Sequence, residues 1–278
     1  MTNKLLALYG LKWNPFIPGV PVEALQVSAR IDSFRRRVLQ LTADGGFALV
    51  TGNPGTGKSV SLRILAAYLS SQRDLKLGLI SRPQANTADF YREMGDLFSV
   101  QIRPNNRWGG TKILRQCWQT HIDSALSRPV LIIDEAQDMC PAVLNELRLL
   151  TSCNLDSHIL LTVILAGDGR LVERLRSEEF LPLESRIRVR LPLERATPQI
   201  LHDFLKHALT CAGAPMLMAD SVIATLADHA QGNIRTLMIM ADNLLAAAAE
   251  QDARQIDDRL FFELYDNIPA KPAAGRRR

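Results

Sequence analysis

Apolar positions along the chain follow helical and strand patterns in alternation as far as about residue 195, and then one pattern only. Leu25, Ile31, Phe34, Val38 and Leu41 recur at helical spacing and predict an amphipathic helix over 23–43, with Arg30, Arg35, Arg36 and Arg37 on its other face. The run from Gly46 to Thr51 is continuously apolar and predicts a strand buried on both faces. Further strands are predicted over Leu75–Ser81, Val130–Ile133, Ile159–Ala166 and Arg186–Leu191. Helices are predicted between them over 58–71, 86–98, 111–127 and 142–152, the last with Pro141 at its start, and over 169–177. Strands that alternate with helices in this way give a parallel sheet covered by helices on both faces, an α/β fold.

Past Thr197 no strand signal remains. Helices at about 197–212, 219–230, 233–250 and 256–265 predict a small helical domain, with Thr197-Pro198 as a helix start. Residues 1–20 read as a short ordered arm, in which Asn14-Pro15-Phe16 is a turn carrying an exposed aromatic and Pro18 and Pro21 keep the chain extended. The organisation expected is an arm at 1–22, an α/β domain at 23–195, a small helical lid domain at 196–266 and a disordered basic tail at 267–278.

The chain has 278 residues and a formal net charge of +4, which permits a polyanionic partner without demanding one. Cys117, Cys140, Cys153 and Cys211 form no CxxC pair and have no histidines at zinc spacing, so free thiols in a reducing compartment are expected. The sequence shows neither a membrane-spanning apolar run nor a signal-peptide core, and a cytoplasmic protein with no membrane partner is expected.

Gly52-Asn53-Pro54-Gly55-Thr56-Gly57-Lys58-Ser59 matches G-x-x-x-x-G-K-[ST] at every fixed position, between a buried strand and an amphipathic helix. Glycines let the backbone curl so that its N–H groups face a phosphate, and the following helix aims its positive end at the same place. Lys58 is expected to reach the β- and γ-phosphates, and the Ser59 hydroxyl to bind Mg²⁺. The strand Val130–Ile133 ends in Asp134-Glu135. Ligands of open α/β sheets sit at the carboxyl ends of strands, which sets Asp134 beside the loop as a second Mg²⁺ ligand. Glu135 is then the base that orients and polarises an attacking water. ATP and Mg²⁺ are the cofactors expected.

The chain resembles AAA+ P-loop ATPases, and within them the ExeA-like group that includes the TniB, TnsC and IstB-type transposition ATPases. Tyr9-Gly10-Leu11-Lys12-Trp13-Asn14-Pro15-Phe16, the phosphate loop, Asp134-Glu135-Ala136-Gln137 and Gly232-Asn233-Ile234-Arg235 carry the resemblance, which runs from about Tyr9 to Phe262. It implies a homo-oligomer, ring or helical filament, with ATP sites shared between subunits. Asp168 stands at the sensor-1 position, where an Asp departs from the more usual Asn or Thr. Ser185-Arg186-Ile187 resembles the arginine-finger segment, so Arg186 is expected to stabilise transition-state charge in the next subunit's site. Arg188 and Arg190 alternate with it and stay open as alternatives. Arg235 resembles sensor 2 and is expected on the γ-phosphate of its own subunit.

Between Ile102 and Arg115 there are basic residues and no acid, with Asn105, Asn106 and Trp108 interleaved. Arg103, Arg107 and Lys112, with Arg82 after the second strand, are candidate contacts to duplex DNA. A charged surface loop with Trp108 tucked into the core is the alternative. The function implied is an ATPase that assembles on DNA to recruit or regulate a transposase. The second implication is a secretion-pathway ATPase acting at the cell envelope; such proteins carry a membrane span and a peptidoglycan-binding module, and neither is seen through residue 278.

Overall fold

A computed structural model describes residues 2–83, 86–102, 107–124, 127–153 and 157–265. The chain divides into two compact units, one of residues 27–194 and one that joins residues 1–26 to residues 195–278.

The larger unit is the expected α/β sheet. In chain order its elements follow α1 (Thr2–Tyr9) of the other unit: α2 (Ala29–Asp44), β1 (Gly46–Gly52), α3 (Lys58–Ser70), β2 (Leu75–Ile80), α4 (Thr87–Phe98), α5 (Arg107–Asp123) and β3 (Arg128–Ile133). There follow α6 (Pro141–Thr151), the short antiparallel pair β4 (Ser152–Cys153) and β5 (His158–Ile159), β6 (Thr162–Gly167), α7 (Gly169–Leu175), α8 (Leu181–Glu184) and β7 (Ile187–Leu193). The main sheet has five strands in the order β2-β3-β6-β1-β7, all parallel.

Alternation along the strands sends side chains to two cores. Phe47, Leu49, Leu131, Ile133, Val163 and Leu165 face helices α4 to α6, where Phe90, Tyr91, Phe98, Leu114, Trp118 and Leu144 meet them. Ala48, Val50, Val130, Ile132, Ile164 and Ala166 face Val38, Leu41, Leu62, Leu65 and Leu69 of α2 and α3. Burial on both faces explains why these strands read as unbroken apolar runs.

Several element bounds differ from the sequence expectation: the strand expected over Ile159–Ala166 is β6 at Thr162–Gly167, preceded by the short β5, and three further differences have a local cause. α2 begins at Ala29 rather than 23, because Ser28 caps it by accepting from the Ile31 N–H at 3.3 Å and the chain before it makes only a 3-10 turn over Val22–Ala24. α5 begins at Arg107 rather than 111. Its Gly109-Gly110 pair disguises the helix, and a Cβ at Gly110 would sit 3.0 Å from the Tyr91 ring, so the glycine marks close packing. β7 begins at Ile187, and Arg186 belongs to the turn before it, its N–H bonded to the Leu183 carbonyl at 3.0 Å.

The second unit holds α9 (Pro198–Ala212), α10 (Asp220–His229), α11 (Ile234–Glu250) and α12 (Asp258–Tyr265), together with α1 and the arm. The aromatic expected to be exposed is not: Phe16 is 5% exposed and packs, with Leu11, into the core formed by Leu201, Leu205, Leu244 and Phe261. Asn14 fixes this turn by accepting from the Phe16 N–H at 2.9 Å and donating to Asp242 at 2.7 Å. The NPF segment is thus an architectural anchor. All four cysteines are free thiols, and no helix among the described residues is long and apolar enough to cross a membrane.

Candidate nucleotide-binding and hydrolysis site

The phosphate loop leaves the carboxyl end of β1 and ends at the first turn of α3. Gly55 and Gly57 have φ of 85° and 95°, the left-handed region that L side chains rarely adopt, and this curls the loop. Gly52 answers a different need: a Cβ there would lie 2.5 Å from the Thr56 hydroxyl and 2.7 Å from the Leu193 carbonyl. Thr56 closes the curl by bonding the Asn53 carbonyl through its hydroxyl at 2.8 Å and its N–H at 3.2 Å. Pro54 lies exposed at the loop's crest.

Lys58 is only 6% exposed. Its Nζ donates to the Gly52 carbonyl at 2.8 Å and lies 3.5 Å from the Asn53 carbonyl. Among the described residues it has no acidic partner. A buried ammonium held on neutral carbonyls lacks the counter-charge such groups ordinarily have, and the curl beside it is shaped for an anion.

β6 lies between β1 and β3, and its register carries the ends of all three to one level: Val50 pairs with Ala166, and Ile133 with Leu165. Ser59 and Asp134 therefore meet, the Ser59 hydroxyl donating to Asp134 Oδ2 at 3.2 Å. Two hard oxygen donors at a strand end, beside a phosphate cradle, suit Mg²⁺. The other Asp134 oxygen accepts from the Glu135 N–H at 2.9 Å.

Glu135 has φ 49° and ψ 40°, left-handed for a non-glycine residue, and begins a 3-10 turn over Ala136–Asp138. That turn folds Gln137 back so that its amide nitrogen donates to Glu135 Oε2 in a short contact. The amide oxygen of Gln137 accepts from the Asp168 N–H at 3.3 Å. Asp168 caps α7 through the Arg170 N–H at 2.9 Å, and its second oxygen meets Arg170 Nε at 2.9 Å. This hydrogen bond and charge hold the Arg170 guanidinium above its ordinary pKa. Gln137, Arg170 and Arg174 belong to this hydrogen-bonded cluster, and the sequence alone gives them no role; their signal is the motif's fourth letter and two arginines one turn apart after Gly167-Asp168.

The other candidates lie elsewhere. Arg186 stands at the amino end of β7, where Ile187 pairs with Phe47, while the loop begins at the far end of β1, where Gly52 pairs with Leu193. That separation is about 17 Å at ~3.3 Å per residue, so Arg186 lies out of reach of this chain's own phosphate loop. Its guanidinium donates to the Pro182 carbonyl at 2.8 Å. Arg190 pairs with Glu184 at 2.7 Å. Arg188 borders a cavity of about 390 Å³ at the amino end of the sheet, lined also by Asp44, Arg128 and His158. In the helical unit, Arg235 is an exposed residue of the first turn of α11, whose cap Asn233 accepts from the Thr236 N–H at 3.1 Å.

Of the candidate DNA contacts, Arg82 is exposed after β2 and Lys112 is exposed on α5. Arg103 lies outside the described residues, as does the Arg107 side chain. Trp108 is not in the core: it is 75% exposed, with the Lys112 ammonium 5.4 Å from its ring centre. Arg115 has a structural place, donating to the Leu149 carbonyl and tying α5 to α6.

Residues 41–175 match the family described as AAA domain. The chain is 30% identical over 253 residues to the general secretion pathway protein A of Aeromonas hydrophila, covering 89% of this chain and 45% of that protein, so it spans about half of its relative's length. Among solved structures it is similar to the ADP form of the Aeropyrum pernix ORC2 protein, with TM-score 0.71, 14% identity and coverage of 91% of this chain and 72% of that one. It is also similar to the Aeropyrum pernix ORC1 protein in complex with DNA, with TM-score 0.67, 15% identity and coverage of 90% and 67%. The fold is the P-loop AAA+ fold.

Proposed function

We propose that this AAA+ chain is an ATP hydrolase whose catalytic site is completed by a neighbouring copy. The observation that carries the reading is the buried Lys58 ammonium, without an acidic partner among the described residues, beside the loop curl and the Ser59–Asp134 pair. The curl of the loop from Gly52 to Lys58 and the Lys58 ammonium bind the triphosphate, and Ser59 and Asp134 hold Mg²⁺. The metal, when bound, neutralises charge on the phosphates. Glu135 orients a water and takes up its proton. Asp168 occupies the sensor-1 position with its charge balanced by Arg170, which removes the repulsion a bare carboxylate would exert there. Arg235, in the first turn of α11, keeps the sensor-2 role that the family resemblance implies. Arg186, out of range of its own site, serves the next subunit's ATP. Lys58→Ala tests the reading: binding of a fluorescent ATP analogue should weaken by about a hundredfold, roughly 3 kcal/mol of charge-assisted hydrogen bonding. Unchanged affinity would overturn it.

The partner in this reading is duplex DNA, on which the oligomer assembles to recruit or regulate a transposase. The exposed Trp108–Lys112 pair supports it, since a cation and an aromatic face presented together suit a phosphate backbone and its bases. A second reading, a secretion-pathway ATPase at the cell envelope, is favoured by one observation, the 30% identity to general secretion pathway protein A. Hydrolysis with and without duplex DNA at low salt separates the two. Stimulation supports the first, and indifference to DNA supports the second.

A further inference from the structure

We propose that Gln137 is a positioning residue for hydrolysis, a two-ended strut whose side-chain amide orients the Glu135 carboxylate and ties it to the end of β6. The inference rests on the reading of Glu135 as the residue that orients water.

Gln137 is 9% exposed, and its amide lies between two groups of opposite demand. The Glu135 carboxylate only accepts, and the Asp168 N–H only donates. The amide therefore has one tolerable orientation, nitrogen to Glu135 and oxygen to Asp168. Reversed, it would set oxygen against carboxylate and N–H against N–H. The backbone is fixed as well: Arg174 Nη1 donates to the Gln137 carbonyl at 3.3 Å and to the Met139 carbonyl at 2.7 Å, while its guanidinium lies 5.2 Å from the Phe180 ring centre.

An independent feature points the same way. A Cβ on Gly167 would lie 2.7 Å from the Gln137 amide oxygen and 2.7 Å from Leu171 Cδ2, so the residue before Asp168 leaves room for both contacts. The left-handed Glu135 is the second feature, because that conformation lets side chains two residues apart converge. With Oε2 held by Gln137, Glu135 turns about a fixed point and presents Oε1 to a water. Any shift at the tip of β6 moves the base with it.

The test compares Gln137→Met and Gln137→Glu with the native chain in steady-state ATP hydrolysis, nucleotide affinity and thermal melting. Methionine keeps the volume and loses both hydrogen bonds; glutamate keeps the acceptor for the Asp168 N–H but faces Glu135 with a second carboxylate. The methionine variant should lose about 10- to 100-fold in kcat, as when an outer partner of a catalytic ligand is removed, with KM, nucleotide affinity and Tm unchanged. The glutamate variant should lose at least as much, and it carries the test should the methionine variant fail to fold. A kcat within about twofold of native in either variant, or a loss of affinity matching the loss of kcat, overturns the strut. Glu135→Gln is run beside them. Native turnover in that variant overturns the base assignment, and an inactive Glu135→Gln beside an active Gln137→Met overturns the strut alone.

Discussion

The Ser59 hydroxyl donates to Asp134 Oδ2 at 3.2 Å, joining residues 75 apart in sequence across the intervening strand β6. The first helical turn after the phosphate loop and the tip of β3 thereby form one oxygen-lined corner. If that corner holds Mg²⁺, Asp134→Asn removes the charge and keeps the shape. The Mg²⁺ concentration for half-maximal hydrolysis should then rise about 10- to 100-fold, while metal-free nucleotide affinity changes little. A magnesium titration of the variant checks this, and an unaltered midpoint would move the metal away from Asp134.

The exposed Trp108–Lys112 pair gives a prediction in salt dependence. Lys112→Ala should weaken ATP-dependent binding to duplex DNA about equally for all sequences and lower the slope of log affinity against log salt by about one. Trp108→Ala should cost about 1–3 kcal/mol if the ring stacks on a base. Neither side chain supports the core, so melting should not change. Gel shifts across a salt series read both.

The NPF segment predicts stability rather than activity. Phe16 is 5% exposed against the helical unit's core, so Phe16→Ala should cost about 3–5 kcal/mol of that unit's stability, seen as a lower midpoint in urea denaturation. A surface-docking role would leave the midpoint in place.

Much of the fold was legible because two periodicities agreed with one motif. Buried runs such as Val130–Ile133 point to a parallel sheet, and the glycine spacing from Gly52 to Lys58 marks the ligand end of one strand. The strand order was not legible: nothing local to β6 says that it lies between β1 and β3, and that insertion is what brings Ser59 to Asp134. Phe16 was misread because its proline-flanked surroundings resemble a loop, while the core that takes it up lies far along the chain in α9 to α12. The start of α5 is hidden by Gly109-Gly110, which lower helix propensity, while Gly110 lets Tyr91 pack closely. Gln137 was read as part of a motif without a role, because its role depends on the left-handed turn at Glu135, a backbone state its sequence does not announce.

Complementation between two inactive variants measures whether each site draws on two subunits. Glu135→Gln keeps Arg186 and spoils its own site; Arg186→Ala keeps its own site and lacks the residue for its neighbour. Each alone should bind ATP and hydrolyse it slowly, with losses of about 10²- to 10⁴-fold for the base. Mixed, the two should recover hydrolysis wherever an Arg186→Ala subunit's site meets Arg186 from a Glu135→Gln neighbour. Native turnover by Arg186→Ala alone, or a mixture no faster than its components, would contradict the shared site.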